Sequence, residues 1–175
     1  MFIEIPDDSQ DQKSLNRLFK KIRKIFGTLP PHYEMLGHIN REMLDEIIKY
    51  VVRLTRHPTI DPHAFGFLRL LIAHREGFSY CVDFNTRMLL AQGYDNALIR
   101  RAMVDVDLFP FDDRTRLLAR KSIKAIFDGA HFTDTDFQEL YGAGWSSREI
   151  MDMVEHAGFM LRNGRILAAY LKKGT

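Results

Sequence analysis

The residues with the greatest chemical reach lie in "HREGFSYCVDFNTRMLLAQG", residues 74–93, which holds the single cysteine of the chain, Cys81. A thiol acts as a nucleophile or redox centre only as its thiolate, so its ordinary pKa of about 8.5 must fall, through a base, a cation or a helix N-terminus. Read at helical spacing, Phe67, Leu70 or Leu71, His74, Phe78, Cys81, Asn85, Met88 and Gln92 share one stripe, with Asn85 one turn beyond Cys81. Tyr80 precedes the cysteine on a second, polar stripe with Glu76, Asp83 and Arg87. His74 stands two turns from Cys81, about 10.5 Å along the axis, so a contact between them requires a break at Gly77. The alternative is plain packing, because unpaired cysteine is among the most buried residue types.

The elements that position these residues are helical throughout. Apolar residues recur at steps of three and four, with no run of alternating β-branched residues, and the class is all-α with about six to eight helices. Residues 11–26 place Leu15, Leu18, Phe19, Ile22, Ile25 and Phe26 on one side and Arg17, Lys20, Lys21, Arg23 and Lys24 on the other. "GTLPP" ends that helix, a short piece near 32–38 follows, and a stripe of Met43, Ile47, Tyr50, Val51 and Leu54 predicts a helix over about 40–56. Asp61-Pro62 is an N-cap with proline at the first helical position, opening a helix that could run to Gly93 and carry Cys81. Asp95 and Asp112 open the next two helices, and Thr133–Asp136 and Ser146–Glu149 have capping-box spacing, the second introducing a closing helix over about 147–172. One domain over 1–175 is expected, residues 1–30 forming a helical arm and 31–175 the core.

Composition removes several classes of function. A formal charge of +2 from 25 basic and 23 acidic residues argues against a polyanion-binding surface, so no nucleic-acid partner is expected. The most apolar run, "FGFLRLLIA", is too short to span a bilayer and carries Arg69 in its middle. One cysteine cannot form an intrachain disulfide, and "MFIEIPDD" has neither the basic flank nor the apolar stretch of a signal peptide, which points to the cytoplasm. Asp105, Asp107, Asp112 and Asp113 lack the glycine and closing glutamate of a calcium loop, so no metal is expected there, and no cofactor is expected elsewhere.

The runs "FSYCVDFN", "LLAQGYDNALI" and "LYGAGWSSREIMDMVEHAGFMLRNGRILAAYL" resemble, in that order, the alkylhydroperoxidase D (AhpD-like) and carboxymuconolactone decarboxylase superfamily over roughly residues 20–172. The resemblance implies a helical bundle, a homo-oligomer (dimer, trimer or hexamer) and antioxidant peroxidase chemistry on a small hydroperoxide with an external thiol reductant. The peroxidase branch of that family carries a glutamate, eleven residues, Cys-x-x-Cys, three residues and a histidine. On this chain Cys81 matches the peroxide-attacking cysteine and Tyr80 the tyrosine before it. Phe78 stands at the resolving cysteine, Asn85 at the histidine and Gly66 at the glutamate. The nucleophile is kept and its proton relay is gone: Asn85 can donate a hydrogen bond yet cannot take up a proton. The expected sites are therefore Cys81, Asn85 and Tyr80. A histidine brought in by tertiary contact would restore a base, and the candidates are His32, His38, His57, His63, His74, His131 and His156. Two further readings stay open, a scaffold that binds or assembles without chemistry and a decarboxylase-like lyase.

Overall fold

The computed structural model describes residues 12–170. Among them lie nine α-helices and no strand: α1 (Gln12–Phe26), α2 (Pro31–Ile39), α3 (Arg41–Leu54), α4 (Pro62–Arg75), α5 (Ser79–Ala91), α6 (Asn96–Ala102), α7 (Asp113–Phe127), α8 (Asp134–Gly142) and α9 (Ser147–Tyr170). No described helix is long and apolar enough to cross a membrane. The last residues of α9 expected at 171–172 lie outside the described residues.

The chain divides into two compact units after Arg56. In the first, α1 presses Leu15, Phe19 and Ile22 inward and leaves its basic side exposed. The Phe19 ring sits on Gly37 of α2, where an added Cβ would lie 2.5 Å from Cε1, and meets His38 edge-on at 5.6 Å. The buried stripe of α3 is Leu44, Ile47, Ile48 and Leu54, so Met43, Tyr50 and Val51 are only half-buried. The Asn40 side chain accepts from the Met43 amide and starts the helix.

The second unit, His57–Ala168, is built around α4, which buries nine of its fourteen residues. Its ends follow the sequence rules. Asp61, Asp95 and Asp112 cap α4, α6 and α7 through their side chains. Thr133–Asp136 closes a capping box on α8, and Ser146–Glu149 bond reciprocally at the start of α9. The four clustered aspartates have structural employment: Asp105 caps a short 3-10 turn, Asp112 caps α7, and Asp107 and Asp113 pair with Arg120 and Arg116.

The expected single helix over 62–93 is two helices. Gly77 takes φ +69°, a left-handed conformation that only glycine adopts at little cost, and Phe78 opens a new helix at Ser79. Glycine at this position breaks the ladder that the apolar spacing alone would continue.

Candidate functional site

The break at Gly77 changes the setting of Cys81. It is the third residue of α5, in an N-terminal turn whose cap, Phe78, offers no side-chain hydrogen bond. The common stripe drawn through both helices is therefore broken. On α5 the buried face is Cys81, Asn85 and Leu89, while Gln92 is exposed and Met88 half-buried. His74 is exposed at the end of α4.

Cys81 is 6% exposed, and burial pushes its thiol up to about 11. At pH 7 that leaves about one thiol in 10,000 ionised, against a few per cent for an ordinary cysteine. Position in a first helical turn favours a thiolate, by 0.3–1 kcal/mol or so at an exposed end, which is less than the upward shift from burial. Burial therefore wins, and the resting thiol is protonated.

Asn85 is 2% exposed and committed at both ends of its amide. Its Nδ2 donates to the Cys81 carbonyl at 2.8 Å, and its Oδ1 accepts from Arg69 Nε at 2.9 Å. Arg69 Nη1 in turn donates to His156 Nε2 at 2.9 Å. His156 lies fully buried on α9, with Phe65 edge-on at 5.1 Å and Phe159 stacked at 5.8 Å. Its second nitrogen, Nδ1, then carries the proton and bonds the Phe65 carbonyl. Burial first, and the Arg69 guanidinium second, hold this imidazole well below the usual histidine pKa, so it is neutral. The result is a chain of polar contacts running Cys81 carbonyl, Asn85, Arg69, His156. Tyr80 is half-buried about 100° round α5 from Cys81, its ring stacked along Phe84 at 6.4 Å.

Sequence reading missed Arg69 as a site residue and left His156 among seven histidines. The signal for Arg69 was its place inside "FGFLRLLIA", where a cation in a buried run demands polar partners. His57 also enters the second unit, by a different contact: its Nε2 meets Asp152 at 3.3 Å while Nδ1 accepts from the Ile60 amide at 3.0 Å, pinning the turn before α4.

The substituted positions are in structural use. The Phe78 ring fills the space over Gly164 of α9, where an added Cβ would lie 2.2 Å from Cδ2 and Cε2. A Cβ on Gly66 would meet Leu89 Cδ2 at 3.2 Å and Arg69 Nη2 at 3.7 Å. An open hollow on the first unit is lined by residues of α1 and α3, including Leu18, Arg41 and the Asp45–Lys49 ion pair at 2.6 Å. It shares no residue with the surroundings of Cys81.

No family model matches the chain, and no curated protein matches it. Solved structures do. An uncharacterized peroxidase-related protein from Silicibacter sp. TM1040 superposes with a TM-score of 0.79 at 18% identity, over 95% of this chain and 87% of that one. An alkylhydroperoxidase AhpD core, an uncharacterized peroxidase-related protein from Ralstonia eutropha JMP134, gives a TM-score of 0.77 at 12% identity, over 95% of this chain and 88% of that one. At such identities the likeness is one of backbone architecture, and the chain has the AhpD-like fold.

Proposed function

We propose that the protein is a divergent, peroxidase-related thiol protein in which Cys81 is the one redox-capable group and is silent at rest. The observation that supports this reading is the placement of Cys81 in the first turn of α5, its carbonyl joined through Asn85 to the half-buried Arg69 guanidinium and the buried His156 imidazole. In the cycle, the Cys81 thiolate attacks the outer peroxide oxygen. An S–O bond forms, the O–O bond breaks, and the alkoxide leaves and takes a proton to become an alcohol. An external thiol displaces water from the sulfenic acid to give a mixed disulfide, and a second thiol releases Cys81 with an external disulfide as product. With Phe78 at the resolving position, both reducing equivalents come from outside. The high resting thiol pKa makes the cycle slow. A cytoplasmic setting, which supplies small thiols, and a homo-oligomeric state belong to the same reading.

A second reading, a scaffold that binds or assembles without chemistry, is favoured by the structural use of Phe78, Asn85 and Gly66. The lyase reading falls below both, since the Asn85 amide is already bonded inside the fold. Hydroperoxide consumption with an added dithiol, compared for wild type and Cys81→Ser, separates the first two. A slow rate that vanishes in Cys81→Ser supports the thiol reading, and equal rates support the scaffold.

A further inference from the structure

Three features meet at the start of α5. Gly77 is a left-handed hinge at φ +69° with nothing within 4 Å of where a Cβ would stand, so the backbone there turns in open space. The next residue, Phe78, lays its ring on Gly164, and the preceding one, Glu76, faces Arg165 at 3.5 Å. The turn is thus fastened to two successive residues of α9. The first turn of α5 has no side-chain cap; besides α9 it is held by the Phe78 amide, which donates to the Ala73 carbonyl at 2.9 Å, by the Asn85 amide on the Cys81 carbonyl, and by packing of the helix on α4. Uncapped helix starts open locally, at a lower cost than the whole fold. Cys81 lies three residues beyond Phe78, on the neighbouring position of the same helical face.

We propose that the Glu76–Phe78 turn is a latch on Cys81: release of Phe78 from Gly164 and of Glu76 from Arg165 lifts the first turn of α5 as a local unit and exposes the thiol to small electrophiles and hydroperoxides. Closed, the thiol is buried and protonated. Open, it regains an ordinary thiol's acidity in water and with it an ordinary thiol's reactivity. The latch rests on the Proposed function only for its use, and its test does not involve peroxide.

The test is the rate at which iodoacetamide alkylates Cys81 in the full chain, followed by mass spectrometry at pH 8 in a series of urea concentrations below the unfolding transition. Local opening predicts a slow wild-type rate that barely changes with urea, since little surface is exposed. Phe78→Ala should raise the rate in the absence of urea by about tenfold or more. Arg165→Gln, at an exposed side chain that leaves the core intact, should raise it by about two- to fivefold and serves if Phe78→Ala does not fold. A wild-type rate that climbs with urea as steeply as global unfolding overturns the latch, as does a folded variant that labels at the wild-type rate. Either result would leave the comparison of Cys81→Ser in hydroperoxide consumption standing on its own.

Discussion

Acidification below pH 6.5 should destabilise the second unit through His156, by an amount the structure permits one to work out. The imidazole is fully buried, its Nε2 accepts from the Arg69 guanidinium at 2.9 Å, and its pKa lies well below 6.5. A proton added to Nε2 would remove that acceptor and set a buried imidazolium beside the half-buried Arg69 guanidinium. The unfolded chain, with an ordinary histidine pKa near 6.5, therefore binds a proton that the folded chain refuses. Stability from this group is fully present above pH 6.5 and is lost as pH falls below it, at up to about 1.4 kcal/mol per pH unit. Integrated from pH 7 to pH 5, the loss can reach at most about 2 kcal/mol, the limit in which the folded chain takes up no proton here, a sizeable part of a typical domain's stability of about 5–15 kcal/mol. Urea unfolding at several pH values, followed by fluorescence of the single tryptophan, reports on the right unit. Trp145 is 3% exposed there, with Arg114 over its ring at 3.6 Å. His156→Gln removes the titration while costing packing between Phe65 and Phe159, so its curve should start lower and fall less. His32, held down to about 4 by burial in the first unit, keeps the same sign in both proteins and cancels in the difference. Parallel curves for wild type and His156→Gln between pH 7 and pH 5 would refute the reasoning.

Asn85→Ala strips the acceptor from Arg69 Nε and the side-chain donor from the Cys81 carbonyl and should cost about 1–3 kcal/mol, as removing one partner of a buried hydrogen bond does; a urea midpoint within experimental error of wild type would contradict the contact. Asp136 is buried at the start of α8, where hydrogen bonds from Lys121, then Lys124, then the Thr133 amide hold its carboxyl well below 3.8. Its stabilisation is present above the ordinary carboxylate range and is lost progressively as pH falls from about 3.8 towards the much lower folded pKa, so Asp136→Asn should be less stable at pH 7, with a smaller deficit at pH 2.5. A deficit of the same size at both pH values would rule that out. Gly37→Ala drives a methyl against the Phe19 ring and should lower the stability of the first unit by about 1–3 kcal/mol, read as an earlier loss of helical circular dichroism on heating.

The all-α class was legible because apolar residues at steps of three and four leave no other way to bury one face, and the caps at Asp61, Asp95, Asp112 and Thr133 marked where helices begin. Those signals are local, since each depends on residues within one turn. Gly77 shows their limit: a glycine inside an apolar stripe is compatible with a continued helix or with a left-handed stop, and Phe78 settles on the stop because its ring has Gly164 to fill. The stripe on α3 was misaligned for a similar reason, the packing of Leu44 and Ile48 choosing the inward face.

By itself the sequence determined that Cys81 is the sole thiol, that it lies one turn from Asn85, and that the resolving cysteine, histidine and glutamate of the resembled pattern are replaced. Tertiary structure decided what stands around them. Arg69 and His156 are 87 residues apart in the chain and meet only because α4 and α9 pack together, and the thiol's acidity is set by the burial that packing imposes. Spacing along one helix fixes which side chains share a face; solvent exposure, and hence ionisation, belongs to what covers that face.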